Sequence, residues 1–144
     1  MTLVGRVILI PPPSANNLYR FYRGTSMRSS EYRAWLSYAA PIVKDAIQPV
    51  GGIVGVQITL HGGKGMTLKS DMDNLMKATM DVLQPTKLDR RGNVVCHGAG
   101  VISNDNLTVV HQIALKFIPE PPRARGAERR SVEMEIGLWS LNDA

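Results

Sequence analysis

One cysteine, Cys96, stands in the 144 residues. A single thiol excludes an intrachain disulfide and fits a reducing compartment. Cys96 adjoins His97, but no second such pair lies at zinc spacing, so no structural zinc is expected. Histidine is scarce as well, and His61, His97 and His111 lie far apart; His111, inside a strand-like run, reads as a half-buried strand residue. Long apolar runs are missing, so no segment is expected to span a membrane. The run from Val7 to Ile10 is too short for a signal-peptide core and ends at Pro11, Pro12 and Pro13. The expectation is a soluble, cytoplasmic protein with no membrane partner. Acidic residues are in deficit, 12 against 17 Lys and Arg, for a formal charge of +5. That balance favours a polyanionic partner. The glycines at 62, 63 and 65 match neither a Walker nor a dinucleotide pattern, which removes a nucleotide-binding loop from consideration.

What is present suits one domain over residues 1–144, since 44% hydrophobic residues can bury a core at this length. Leu3 to Ile10 reads as a first strand, stopped by the prolines. A helix is predicted from an N-cap at Ser30, with Tyr32, Trp35, Leu36, Ala39, Val43, Ala46 and Ile47 forming its apolar stripe and Pro41 kinking or breaking it. Ile53 to Leu60 alternates as a second strand, and Pro85 closes a second helix that ends at Leu83. Lys87 to Gly92 reads as a charged turn, and Asn93 to Gly100 as either a short strand or an ordered loop. Thr108 to Ile118 and Ser131 to Ser140 alternate as further strands, joined by a basic, proline-rich connection. The fold class is α+β, a mixed β-sheet with helices packed on it.

The second helix carries the most informative stretch. Asp71 and Asp73 open it, and Leu75, Met76, Thr79, Met80 and Leu83 follow at helical spacing. Asp71 as N-cap and Asp73 beside the positive end of the helix dipole would account for both acids without any chemistry. Asp73, Lys77 and Asp81 nevertheless fall four apart on one face, which holds a cation between two carboxylates. Lys64 and Lys69 flank this start in a loop read as flexible and basic. Earlier in the chain Arg20, Arg23 and Arg28 interleave with Tyr19, Phe21 and Tyr22, after a loop containing Asn17. Alternating cations and rings suit phosphate pairing and base stacking, and equally suit a surface loop with buried aromatics.

Pro12, Pro13, Ser14, Asn17 and Tyr19, then the string Asp71-Met72-Asp73-Asn74-Leu75 with Lys77 and Asp81, then Asn104 and Asp105 before a valine-rich strand, together resemble the RusA family of Holliday junction resolvases. The resemblance runs over most of the chain, and the Asp-x-Asp-Asn-Leu-x-x-Lys stretch is its most specific part. It implies a homodimeric, magnesium-dependent endonuclease that cuts two strands of a four-way DNA junction symmetrically, with manganese a possible substitute. On that reading Asp71, Asp73 and Asp105 hold the metal, Lys77 completes the catalytic set, and Asn17, Tyr19, Arg20, Arg23, Arg28, Lys64 and Lys69 meet the DNA. Two departures stand out: Asn104 replaces the first acid of the usual third-position pair, and the segment from Pro85 to Ile102 is longer than the family's connection. Magnesium is a hard ion that takes carboxylate oxygens, which agrees with a donor set free of His and Cys. The competing reading is a non-catalytic basic protein that recognises branched DNA and whose acids only cap a helix.

Overall fold

The computed structural model describes residues 1–13, 19–22, 24–65 and 72–142, with side chains at all of these except 19–22, 25 and 26. In chain order the elements are β1 (Thr2–Leu9), β2 (Tyr19–Tyr22), β3 (Thr25–Arg28), α1 (Ser30–Ala46), β4 (Val54–His61), α2 (Met72–Leu83), β5 (Pro85–Leu88), β6 (Val94–Ala99), β7 (Val110–Ile118) and β8 (Glu133–Ser140). The expected α+β class holds, with two hairpins, β2–β3 and β5–β6, added to the framework.

Alternating apolar residues build a four-stranded sheet in the order β1-β8-β4-β7. β8 runs antiparallel to β1 and β4, whereas β4 and β7 are parallel. Val56, Ile58 and Leu60 of β4 sit opposite Leu138, Ile136 and Met134 of β8. All six are buried, so this pair of central strands forms the floor of the core. The helices cover that face. The other face keeps polar side chains, including Arg6, Gln57, His61, Lys116 and Glu135, which line a shallow depression.

α1 begins one residue earlier in its capping than the sequence suggested: Ser29, not Ser30, is the N-cap, and its hydroxyl accepts from the Tyr32 amide at 3.1 Å. The helix runs unbroken through Pro41. Pro41 is exposed, so the carbonyl left without an amide partner can turn to water, which lowers the cost of an internal proline. The inner stripe of Tyr32, Trp35, Leu36, Ala39 and Val43 is buried as expected, with the Tyr32 and Trp35 rings 6.3 Å apart and stacked. Trp35 and Tyr38 also fix the end of β1: Trp35 Nε1 donates to the Ile10 carbonyl at 2.7 Å, and the Ile10 amide donates to Tyr38 Oη at 3.2 Å.

The segment after α2 departs most from expectation. Pro85–Leu88 is a strand that takes in the start of the turn expected at Lys87 to Gly92, and Val94–Ala99 pairs with it, which settles the open reading of 93–100 in favour of a strand. The charged turn narrows to Asp89–Gly92, where Asp89 Oδ1 accepts from the Arg91 and Asn93 amides at 2.8 and 2.9 Å. These bonds, the Asn93 amide first, hold the exposed Asp89 carboxyl below its ordinary value of 3.8. The hairpin packs on the helices through buried Cys96 and Ala99, and burial pushes the Cys96 thiol up, against the opposing pull of Arg28.

β7 is an edge strand. Ile113 and Phe117 lie opposite Val56 and Leu60, on the helix-covered side, yet are 40% and 46% exposed because no helix among the described residues reaches over that edge. His111 is exposed as well, not half-buried as its strand-like context suggested, since an edge strand has a neighbour on one side only.

Two outcomes follow for the β5–β6 hairpin. A Cβ on Gly98 would run into the Gln84 carbonyl, so Gly98→Ala should destabilise the protein by about 3 kcal/mol in urea titration, an overpacking cost paid by main chain. Asp89, with its folded value below the unfolded one, contributes stability that is complete above pH 3.8 and fades as pH falls through the lower folded value. Thermal unfolding followed from pH 5 to 2 should therefore fall more steeply for the natural chain than for Asp89→Asn.

Candidate active site

α2 is an unusual carrier. Asn74, Leu75, Ala78, Thr79, Met80, Asp81, Val82 and Leu83 are all buried, between α1, β4 and β6, while Met72, Asp73 and Lys77 stay exposed. A helix so enclosed presents polar chemistry only where its first turns emerge. Asp73 and Lys77, one turn apart, occupy that exit, and Asp73 also lies beside the helix's positive end.

Asp81 completes the stripe in the opposite environment. It is 7% exposed, and its Oδ2 accepts the Tyr32 hydroxyl proton from α1 and faces Arg28 Nη2 at 3.8 Å. Burying a carboxylate is costly unless hydrogen bonds and a counter-charge accompany it, and Asp81 has both. Neither partner was legible from spacing within the helix. Arg28, expected as a phosphate contact, is turned towards Asp81 with its side chain 19% exposed, and its Nε is buried with no acceptor among the described residues.

Asn74, quoted in the motif but given no role, is also buried. Its Nδ2 donates to the Pro13 carbonyl at 2.6 Å, while its Oδ1 has no donor among the described residues. The proline run that ends β1 is thereby fastened to the first turn of α2.

The remaining candidates divide into those the structure describes and those it does not. Lys64 is exposed, but its backbone is fixed rather than flexible: its amide donates to the Arg130 carbonyl at 2.8 Å, and its carbonyl accepts from the Val132 amide at 3.0 Å. Tyr19 and Arg20 lie on β2 opposite Arg28 and Met27, with only their backbone described. Asn17, Arg23, Lys69 and Asp71 lie outside the described residues, so the predicted cap at Asp71 does too.

Asp105 is exposed in the loop before β7, its amide bonded to Asn104 Oδ1 at 2.7 Å. That loop is tied to the far end of α2, where the Val101 and Ile102 amides donate to the Leu83 carbonyl at 3.0 and 3.1 Å. Asp73 stands at the other end of the helix. Among the described residues, no three His, Cys, Asp or Glu side chains come together as a metal site. An oxygen-only set made of Asp73 with Asp71 would still fit a hard cation, and Asp73 is accessible to one.

No helix among the described residues is long and apolar enough to cross a membrane. No family model matches the chain. Individual proteins do. Crossover junction endodeoxyribonuclease RusA of Escherichia coli strain K12 is 36% identical over 72 residues, which is 50% of this chain and 60% of that protein. The protein of the same name from Escherichia coli O139:H28 matches to the same extent. Crossover junction endodeoxyribonuclease of Enterobacteria phage 82 is 35% identical over 72 residues, again 60% of its length. The similarity thus spans less than two thirds of these relatives, yet it recurs in bacterial and phage proteins of one name. Over half of its length the chain is therefore similar to proteins named for crossover junction cleavage.

Proposed function

We propose that this protein is a metal-dependent, structure-selective endodeoxyribonuclease that resolves four-way DNA junctions by paired, symmetric hydrolysis during recombination and repair. The observation that carries the reading is the emergence of Asp73 and Lys77, side by side, from a helix otherwise buried, in a chain similar to proteins named for crossover junction cleavage. Asp71 and Asp73 are the proposed metal ligands; Asp105, on a loop tied to the opposite end of α2, is left out of the set. Magnesium, or manganese in its place, would supply charge neutralisation at the scissile phosphate and a more acidic water.

The chain's own groups do the rest. The Asp73 carboxylate holds the cation at the mouth of the helix. The Lys77 ammonium, one turn on, sets positive charge where negative charge accumulates on the phosphate oxygens. Water oxygen bonds to phosphorus as the bond to the leaving 3′ oxygen breaks, and that oxygen departs protonated. The net positive charge of +5 favours the approach of a polyanion, and contacts to phosphates make binding weaken as salt rises. Two symmetric cuts need two sites, for which a homodimer on branched DNA is the simplest source.

The test is cleavage of a labelled four-way junction with magnesium, with binding scored in the same samples. Asp73→Asn should abolish the paired nicks while leaving binding within about threefold, and Lys77→Ala should slow cleavage on the order of 100-fold. Tight, salt-sensitive binding without nicks by the natural chain would instead establish a non-catalytic DNA-binding protein.

A further inference from the structure

The stretch between Pro13 and Arg28 is fastened to α2 at both ends. At the near end the Asn74 amide group holds the Pro13 carbonyl at 2.6 Å. At the far end, just past β3, the Arg28 guanidinium lies 3.8 Å from Asp81. Asn74 and Asp81 are seven residues apart, so they share one side of the helix and are separated by about 10 Å, or two turns. Both are only 7% exposed. Each polar contact therefore lies where an unpaired group would be costly, which makes these contacts specifying rather than incidental.

The two fastenings are themselves braced by α1. Tyr32 donates its hydroxyl proton to Asp81, and Trp35 and Tyr38 fix Ile10 just before the prolines. Between the fastenings runs the β2–β3 hairpin, whose sequence holds Tyr19, Arg20, Phe21, Tyr22 and Arg23. The described β2–β3 backbone thus lies between two contacts to the helix that exposes Asp73.

We propose that Asn74 and Asp81 are positioning residues, a pair of latches that hold the β2–β3 arm against α2 so that the arm and Asp73 address the same DNA strand. The assignment rests on the nuclease reading for its functional half. Its structural half, the anchoring of the arm, stands apart from it. Neither residue is required to touch DNA or metal. Their effect passes through the arm, so it should appear in substrate binding more than in the chemical step.

The experiment compares the full chain with Asn74→Ala and Asp81→Asn in three measurements. Amide exchange in residues 19–28 should accelerate at least about tenfold while β4 keeps its protection, since the loss is local. Affinity for the four-way junction in EDTA should fall about tenfold, and turnover at saturating junction with magnesium should stay within about threefold, the pattern of lost binding rather than lost catalysis. Exchange in the arm that does not change, exchange that accelerates equally in β4, or turnover that collapses at unchanged affinity would each overturn the proposal. Should Asp81→Asn fail to fold, Tyr32→Phe removes the hydroxyl that braces Asp81 and should give a smaller shift in the same direction; no shift would overturn the Asp81 latch. A natural chain that never nicks the junction sinks the nuclease reading, while exchange and affinity still decide the latches.

Discussion

A helix enclosed on most sides must satisfy its buried polar groups with partners from other elements, and the fold depends on that constraint at α2. Asn74, Thr79, Asp81 and, just beyond the helix, Gln84 are all buried. Each is answered differently: Asn74 by Pro13, Thr79 by the Met134 sulfur at 3.9 Å, Asp81 by Tyr32 and Arg28, and Gln84 by the Met80 carbonyl one turn back. Apart from Met80, which is α2's own, the partners come from the proline run after β1, from β8, from α1 and from the end of β3. Apolar packing would hold α2 in place with many small slides allowed, because dispersion contacts are individually weak and non-directional. The polar contacts remove that freedom, since a slide of one residue would leave several buried groups unpaired.

How much of this was legible in the sequence depended on whether a signal was local. Alternation in β4 and β8 and the stripe of α1 identify their elements because burial on one face writes a period into the chain. The β5–β6 hairpin has no such period: Val94 and Val95 are both exposed, at 46% and 41%, and its ladder shifts register around Lys87, where Thr86 Oγ1 bridges the Gly98 amide and carbonyl at 3.1 Å each. A strand held by a side chain and a covered face of mixed polarity resembles a loop when read residue by residue. β7 shows the converse. Its alternation is genuine, but position at the sheet edge, which no local pattern encodes, leaves Ile113 and Phe117 uncovered.

The site divides along the same line. Asp73 and Lys77 could be picked out because their spacing is a property of one helix. The engagement of Arg28 could not, because a sequence gives an arginine's charge and not the carboxylate it will reach across forty or more residues. A rule of folded interiors bears on it: a buried carboxylate is held only where a donor or counter-charge comes with it. Asp81 was that carboxylate. Its place four residues after an exposed lysine, among Met80, Val82 and Leu83, was the available signal.

The stripe from Asp73 to Asp81 therefore separates two tasks that one kind of side chain could perform. A carboxylate that takes a hydrated cation must keep access to water, because magnesium gives up its waters reluctantly and retains several when bound. A carboxylate that fixes a hairpin must lose that access, because in water an ion pair is worth little and is screened by salt. Asp73 at the mouth of the helix and Asp81 two turns inward meet these opposite requirements along one face. Exchanging their environments would damage both: an enclosed Asp73 could not hold a hydrated metal, and a solvated Asp81 would leave Arg28 with a weak partner. On the proposed nuclease reading, burial along α2, more than the identity of its acids, assigns one end of the helix to chemistry and the other to architecture.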